Sequence, residues 1–303
     1  MAAPRFGLLG TGYWAGRTHA AAIAAHPDAE LAGVWGRDPA KAAAVAERHG
    51  SRAFADLDAL LDAVDAVSVA VPPDVQAELA VRAARAGRHL LLDKPLALSL
   101  DGARRVTDAA AASGVASLVF FTARFFPDVA AWLDGVRRAG DWHGGHGAWL
   151  AALDQPSSPY RDSAWRRAHG GLWDVGPHAL GMVLPALGPV ERVTAAGGLR
   201  DTVHLALRHR GGGSSTLSLS LTVPPAAATI AFEVYGPAGR SAMPRSGATA
   251  LAAFGEAIGQ LGRAVATGTP HPCDVRFGRD VVAVLDAAQR SLADGGRTAT
   301  VAG

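Results

Sequence analysis

The sequence has a single cysteine, Cys273, among its 303 residues. One thiol excludes an internal disulfide framework and any metal site built on a Cys-x-x-Cys pair. Charged residues make up only 18% of the chain, which excludes disorder driven by charge repulsion. Hydrophobic residues make up 49%, enough for a sizeable core, and the length suits two domains better than one.

Clusters of basic charge are also missing. The 29 basic and 27 acidic residues nearly balance, and the basic side chains are scattered along the chain. Nucleic-acid binding needs a concentrated positive patch, so we expect no nucleic-acid partner. Lysine is scarce, because Lys41 and Lys94 are the two lysines and the other basic residues are arginine. Each lysine is therefore more informative than usual.

The sequence has no long apolar run. Gly, Pro, Asp or His interrupts every such run well before the roughly 18 residues that a membrane span needs. The N-terminus lacks the charged segment followed by an apolar stretch that marks a signal peptide. We therefore expect a cytoplasmic protein without a membrane partner.

Residues 1–121 alternate short apolar runs with helical patterns, which predicts βαβ units and a parallel sheet. The apolar runs are nearly continuous, as in strands that are buried on both faces. The predicted strands are 6–9, 30–35, 66–71, 89–92 and 115–121, and the predicted helices are 14–25, 39–49, 74–86 and 99–112. The pattern indicates a doubly wound α/β domain.

Residues 122–303 follow a different pattern, in which most strands succeed one another with short connections. The predicted strands are 147–153, 190–196, 203–208, 215–221 and 228–235, and the predicted helices are 127–139, 173–187, 250–266 and 277–292. Residues 210–213 are typical of a hairpin turn. Leucines alternate with Ser and Thr in residues 214–222, so one face of this sheet meets water or a partner. We expect an α+β domain with a mainly antiparallel sheet.

A glycine-rich turn directly follows the first predicted strand and opens the first helix. It reads Gly10-Thr11-Gly12-Tyr13-Trp14-Ala15 and fits G-x-G-x-x-G/A. In a dinucleotide site, the first glycine permits the turn, the second admits the pyrophosphate, and the small third residue allows close packing. The helix N-terminus adds free N–H groups and positive charge. The alternative is a glycine-rich turn without a ligand.

The end of the second predicted strand indicates which dinucleotide is bound. Sites for NAD(H) place an acidic residue there to hold the ribose, whereas this sequence has Gly36 and Arg37. A small residue beside an arginine favours a 2′-phosphate, so we expect NADP(H) rather than NAD(H). The alternative is that Arg37 is a solvated loop residue and Asp38 binds the ribose.

Asp93-Lys94-Pro95 places an acid and a lysine at the carboxyl end of a buried strand, where ligands bind in open α/β sheets. Whether either peptide bond of this turn is cis stays open, and a solvated charge is the alternative for Lys94. Further along, Asp174 and His178 are four residues apart and can share a helix face. The alternative is that Asp174 is an N-cap. A third ligand with suitable spacing is missing, so we expect no metal site.

Five motifs together resemble the Gfo/Idh/MocA oxidoreductases, which include glucose–fructose oxidoreductase and inositol dehydrogenase. They are Gly10-x-Gly12-x-x-Ala15, Val71-Pro72-Pro73, Asp93-Lys94-Pro95, Trp165-Arg166 and Gly171-x-x-Asp174-x-Gly176-x-His178. The resemblance implies a Rossmann domain over residues 1–121 and a substrate-binding and oligomerisation domain over residues 122–303. It implies hydride transfer between nicotinamide and an oxygen-bearing carbon of a sugar, cyclitol or related molecule. It also implies a homo-oligomer, a dimer or tetramer, formed through the open C-terminal sheet.

The resemblance assigns roles to individual residues. Lys94 matches the lysine of the family's Glu-Lys-Pro motif, and Asp174 and His178 match its Asp-x-Gly-x-His motif. As a mechanism we expect His178 to act as acid and base and Lys94 to hold the reacting oxygen, with proton relay by Lys94 as the alternative. Asp174 would orient His178 or bind a neighbouring hydroxyl. The implied cofactor-binding residues are Gly10, Thr11, Gly12, Tyr13, Trp14, Ala15, Gly36, Arg37, Val71, Pro72, Asp93 and Lys94. The implied substrate contacts are Arg124, Trp165 and Arg166.

Three positions depart from the family pattern. Asp93 replaces the usual glutamate, Gln76 stands near a position where histidine is common, and Gly181 falls where an aspartate often follows the motif histidine. The last change removes a polar group near the substrate, which counts against a standard polyol.

Two other functions remain open from the sequence. A non-catalytic dinucleotide-binding sensor would have no need of Lys94, Asp174 and His178 together. A glycosidase that retains NAD(H) would be favoured by an acid after the second strand, where Gly36 and Arg37 stand instead.

Overall fold

The computed structural model describes residues 3–303, which form two compact units. The first unit contains the residues up to Phe125 together with Ala248–Arg279, and the second contains Phe126–Gly247 and Asp280–Gly303. This division differs from a single boundary after residue 121, because the helix at Ala250–Thr267 belongs to the first unit. Within residues 3–303, no helix is both long enough and apolar enough to cross a bilayer.

The first unit contains a six-stranded, fully parallel sheet. Its strands are β1 (Arg5–Leu9), β2 (Glu30–Trp35), β3 (Ala53–Phe54), β4 (Ala66–Val69), β5 (His89–Asp93) and β6 (Ser117–Phe120). Their spatial order is β3-β2-β1-β4-β5-β6, so the winding reverses between β1 and β4. This confirms the doubly wound fold and places the ligand-binding crevice at the carboxyl ends of these strands.

The second unit contains a seven-stranded, mostly antiparallel sheet. Its strands are β7 (Gly144–Leu150), β8 (Val190–Gly197), β9 (Val203–His209), β10 (Ser214–Ser220), β11 (Thr229–Gly236), β12 (Gly239–Ala242) and β13 (Ala299–Thr300). The order is β12-β11-β7-β10-β9-β8-β13, and β7 and β10 are parallel neighbours. The predicted hairpin joins β9 to β10. In β9 the side chains alternate between buried and exposed, so this sheet has one buried face and one exposed face.

Helices cover both sheets. They are α1 (Ala21–Ala25, preceded by a π-helical segment, Ala15–Ala20), α2 (Pro39–Arg48), α3 (Leu57–Asp62), α4 (Pro73–Arg85), α5 (Leu100–Ser113), α6 (Pro127–Ala139), α7 (Ala164–Asp174), α8 (Gly176–Leu187), α9 (Ala250–Thr267) and α10 (Val275–Ala293). Side-chain caps explain where two of them begin. Asp38 accepts from the N–H groups of Ala40 and Lys41 to start α2, and Ser99 accepts from Gly102 to start α5.

Each unit has its own apolar core. In the first, α9 packs against α1 and β6, and Phe254 of α9 lies fully buried against Phe120 of β6 at a ring distance of 4.8 Å. In the second, α8 packs against β7 and β10, and its buried residues are almost all apolar. Burial of these apolar faces is the main force that holds each helix on its sheet.

Candidate functional site

The glycine-rich turn joins β1 to the π-helical segment at the carboxyl edge of the first sheet. Gly10 has a φ of 134°, and a Cβ built on it would lie 2.2 Å from the carbonyl oxygen of Ala70. Gly12 has no such φ, and a Cβ there would meet nothing within 4 Å. The packing of the chain therefore requires glycine at position 10 but not at position 12. At Gly12 the backbone is open to a close ligand, which fits a pyrophosphate at a helix N-terminus.

The end of β2 is packed differently from the sequence-based interpretation. A Cβ on Gly36 would lie 2.5 Å from Cγ2 of Thr11, so the Thr11 side chain fills the space beside Gly36. Asp38 uses Oδ1 to cap α2, and its Oδ2 lies 3.7 Å from Nζ of Lys41. Arg37 is exposed at the same strand end. Arg37 and Lys41 are therefore two exposed cations at this strand end.

The Asp93-Lys94-Pro95 turn follows β5 and is held by hydrogen bonds on two sides. The Lys94–Pro95 bond is cis. The Asp93 carboxylate accepts from the Lys94 N–H through Oδ1 at 2.8 Å. Lys94 is half-buried, whereas the side chain of Lys41 is 70% exposed. Lys94 is therefore less exposed to solvent than Lys41.

Gln76 fixes the backbone of this turn. Its amide Nε2 donates to the carbonyl oxygens of Asp93 (2.7 Å) and Pro95 (2.8 Å), and its Oε1 accepts from the Asp93 N–H at 3.2 Å. The side chain is only 1% exposed. The sequence marked Gln76 only as a departure from the family pattern, and the hydrogen bonds give it a structural role.

His19 was not identified by the sequence reasoning. It is fully buried in the π-helical segment, with Nδ1 2.8 Å from Oγ of Ser68 and Nε2 3.8 Å from Oδ2 of Asp93. Its ring packs against Phe254 at 4.1 Å. Burial lowers the pKa of His19 to about 3, so the imidazole is neutral at neutral pH. The one available signal was an ionisable residue within the apolar pattern of the first helix.

In the second unit, Asp174 is the buried last residue of α7. It accepts from Nε of Arg166 at 2.8 Å, and the Arg166 guanidinium lies over the rings of Tyr160 and Trp165. The N-cap of the next helix is Val175, so the alternative of Asp174 as an N-cap is wrong. His178 lies in the first turn of α8.

A glycine pair shapes this part of α7. Gly170 has a φ of 58°, which breaks the helix before its last turn. A Cβ on Gly171 would lie 2.7 Å from Cα of Ser220, so this turn approaches β10 more closely than any side chain would allow. The motif glycine therefore sets the position of Asp174 against the second sheet.

The structure collects the predicted residues at one edge of the first sheet and in one part of the second unit. The first group contains Gly10, Thr11, Gly12, Tyr13, Trp14, Ala15, Gly36, Arg37, Val71, Pro72, Asp93, Lys94 and Arg124. The second group contains Trp165, Arg166, Asp174 and His178. Arg124 packs its guanidinium over Phe277 at 5.6 Å. In the described part of the chain, no three His, Cys, Asp or Glu side chains are grouped to hold a metal ion.

Two family models match successive parts of the chain. Residues 4–121 match a model described as an oxidoreductase family with an NAD-binding Rossmann fold. Residues 137–241 match a model described as the GFO/IDH/MocA C-terminal domain.

Curated relatives match over part of their length. The dTDP-3,4-didehydro-2,6-dideoxy-alpha-D-glucose 3-reductase of Streptomyces antibioticus is 33% identical over 189 residues, which cover 61% of this chain and 57% of that protein. The inositol 2-dehydrogenase of Rhizobium meliloti (strain 1021) is 36% identical over 139 residues, which cover 45% and 40%. The chain therefore spans about half the length of these relatives.

A solved structure matches over the whole fold. GenD2 from gentamicin A biosynthesis, determined in complex with NAD, has a TM-score of 0.86 and is 25% identical. The match covers 100% of this chain and 97% of that chain.

Proposed function

Because this chain belongs to the Gfo/Idh/MocA oxidoreductase family, we propose that it transfers a hydride between a nicotinamide dinucleotide and an oxygen-bearing carbon of a sugar, cyclitol or related small molecule. The observation that carries the proposal is the carboxyl edge of the first sheet. There Gly12, with its open backbone, follows β1, and the half-buried Lys94 follows β5 of the same parallel sheet. A pyrophosphate site and a cation for a reacting oxygen are the two parts that this chemistry needs.

The bound nicotinamide supplies the hydride acceptor or donor. When the substrate is oxidised, His178 takes the hydroxyl proton while the hydride leaves the same carbon, and the reverse transfer returns the proton. Lys94 holds the oxygen and stabilises the negative charge that develops on it. Asp174 orients His178 or binds a neighbouring hydroxyl. Arg166 acts through Asp174, because it donates to that carboxylate.

We propose Arg124 and Trp165 as substrate contacts. Val71, Pro72 and Asp93 would line the dinucleotide with the glycine-rich turn, since they follow β4 and end β5 at the same sheet edge. Tyr13 and Trp14 would flank the pyrophosphate at the start of the helix.

The test of the activity is hydride transfer, followed at 340 nm with a panel of sugars, cyclitols and keto-sugars. With a substrate found in this panel, Lys94→Ala and His178→Ala should each lower kcat by about 100-fold or more. The control is Lys41→Ala, which removes the exposed lysine and should leave kcat unchanged. Near wild-type rates in both Lys94→Ala and His178→Ala would exclude the mechanism.

We also propose that the protein prefers NADP(H) to NAD(H). Support comes from the exposed guanidinium of Arg37 and from Asp38, whose carboxylate caps α2 rather than standing free for a ribose. Arg37→Gln should weaken NADPH binding about tenfold or more and change NADH binding less than about twofold. The control is Arg85→Gln, which removes an exposed arginine from the C-terminal end of α4. Equal losses for both dinucleotides would contradict the preference.

We propose that the protein is a homo-oligomer, a dimer or tetramer, that assembles through the outer face of the second sheet. The outward side chains of β9 and β10 are mostly small or polar, and they include Ala206, Thr216 and Ser218. Ala206→Arg should shift the mass measured by light scattering toward the monomer. An unchanged mass would place the contact elsewhere or exclude it.

A further inference from the structure

We propose that the buried residues Ser68 and His19 form a polar chain with the half-buried Asp93 and that this chain positions Lys94, with the proton of His19 on Nε2, on the side of the Asp93 carboxylate. His19 is a positioning residue in this proposal, because it acts through Asp93. The catalytic consequence rests on the proposed function, but the geometric claim does not.

The imidazole of His19 is held by a polar contact at Nδ1 and by three aromatic side chains. Ser68 of β4 lies against Nδ1 at 2.8 Å, and Phe254 covers one face at 4.1 Å. Trp14 and Phe120 approach edge-on at 6.4 and 6.5 Å. These contacts place Nε2 near the end of β5, where Oδ2 of Asp93 lies 3.8 Å away.

The two tautomers differ in what Nε2 presents to Asp93. A carboxylate is an acceptor, so a lone pair on Nε2 would face negative charge in a buried position, whereas an N–H would be attracted. Nε2 has no hydrogen-bond partner among the described residues. The Ser68 hydroxyl can serve either tautomer, because it donates as readily as it accepts. Asp93 therefore selects the Nε2–H tautomer, and Ser68 donates to Nδ1.

Both oxygens of the Asp93 carboxylate have a neighbour in this arrangement. Oδ1 accepts from the Lys94 N–H, and Oδ2 faces His19. Gln76 holds the backbone carbonyls of the same turn. Removing His19 leaves the backbone carbonyls held by Gln76 but takes away the imidazole that faces Oδ2, so we expect the carboxylate to shift together with the Lys94 N–H that donates to its Oδ1.

The scarcity of lysine provides a direct test that needs no substrate. Protein labelled with ¹⁵N-lysine gives two backbone amide signals, from Lys41 and Lys94, and Lys41→Arg assigns them. His19→Leu and Ser68→Ala should shift the Lys94 signal and leave the Lys41 signal in place. His19→Gln, whose amide N–H can reach toward Asp93, should move the Lys94 signal back toward its wild-type position.

The second unit offers a matched control. His209 is also buried, and its Nε2 lies 2.9 Å from Oγ of Ser215. His209→Leu and Ser215→Ala remove the same groups from a buried site that the proposal does not include, so both lysine signals should stay in place.

Hydride transfer gives the functional readout. His19→Leu should lower kcat about 10- to 100-fold through displacement of Lys94, with KM for the dinucleotide changed less than about twofold. His19→Gln should recover part of this loss.

Three results would overturn the proposal. They are an unmoved Lys94 signal in folded His19→Leu, an equal shift in His209→Leu, and ¹⁵N spectra of histidine that place the His19 proton on Nδ1. If His19→Leu does not fold, Ser68→Ala decides, because it removes one oxygen without opening a large cavity. If the Lys94 signal moves but no sugar in the panel is oxidised, the positioning role stands and the proposed function fails.

Discussion

Alanine at Gly10 and at Gly12 should damage different properties of the protein, although the two glycines are two residues apart. Gly10 has a φ of 134°, a conformation that costs a non-glycine residue about 1–3 kcal/mol. Its new Cβ would also lie 2.2 Å from the Ala70 carbonyl oxygen, and relieving such overpacking costs about 1–3 kcal/mol. Together we expect Gly10→Ala to lower the free energy of unfolding by about 4 kcal/mol.

Gly12→Ala should leave stability nearly unchanged. A Cβ there meets nothing within 4 Å and the backbone has no left-handed φ, so the free energy of unfolding should change by less than about 0.5 kcal/mol. The same Cβ would project where a pyrophosphate must approach the backbone. We therefore expect the Kd for the dinucleotide to rise about 10- to 100-fold, which is about 1.4–2.7 kcal/mol.

Two measurements separate these effects. Thermal unfolding without cofactor should show a Tm lower by about 6 °C for Gly10→Ala and unchanged for Gly12→Ala. Fluorescence titration of Gly12→Ala with NADPH should show the weakened binding at a temperature where both proteins are folded. The reasoning would be refuted by wild-type stability in Gly10→Ala, or by wild-type affinity in Gly12→Ala.

Three further outcomes are expected. Gln76→Leu removes hydrogen bonds from buried backbone groups of the Asp93–Pro95 turn, so it should lower the free energy of unfolding by about 2–4 kcal/mol in urea titrations, and an unchanged midpoint would contradict this. Gly36→Ala should lower the free energy of unfolding by about 1–3 kcal/mol, because its Cβ meets the Thr11 side chain. This loss should be smaller when Thr11 is replaced by glycine, and additive losses in this double-mutant cycle would exclude the contact. Burial lowers the pKa of His19 to about 3 and that of His271 to about 4, so the unfolded chain binds more protons below its ordinary histidine pKa of about 6.5. The contribution of these two histidines to the free energy of unfolding should therefore be at its full value above that pH. As the pH drops toward 4, the free energy of unfolding should fall by up to about 1.4 kcal/mol per pH unit for each histidine. A free energy of unfolding that stays constant between pH 7 and pH 5 in urea titrations would refute this expectation.

The sequence was most informative where local pattern and tertiary burial agree. The bounds predicted for β2 and α6 match the structure residue for residue, because apolar runs and helix starts are local properties. The Asp38 and Ser99 side chains that cap α2 and α5 are local features of the same kind. By contrast, β3 and α3 were missed, since two residues carry no alternation and α3 is shorter than two turns.

Elements that depend on distant parts of the chain were not predictable. A helix over 250–266 was predicted, but an amphipathic pattern does not say which sheet it covers. The start of α7 at Ala164 was also missed, because Gly170 and Gly171 are typical of a break. Only the close approach to Ser220 explains why the chain has glycine there.

In the candidate site, too, the features contained in consecutive residues were predicted and those that join distant elements were not. The glycine-rich turn and the Asp93–Lys94 turn were identified from spacing, because their chemistry is contained in a few consecutive residues. The roles of Gln76 and His19 were not identified, since each acts on residues of another element. Ser68 lies 49 residues from His19 in the sequence, and no pattern along one helix reveals such a pair.

The return of α9 to the first unit has a consequence for biosynthesis. Phe254 covers the ring of His19, so the first 125 residues cannot complete their own core as they leave the ribosome. The nascent chain must wait until nearly the whole second unit has been translated. At about 5–20 residues per second this delay is on the order of 10 s, during which the unfinished apolar surface is open to chaperones. The second unit is completed later still, because it includes Asp280–Gly303, which are translated after α9.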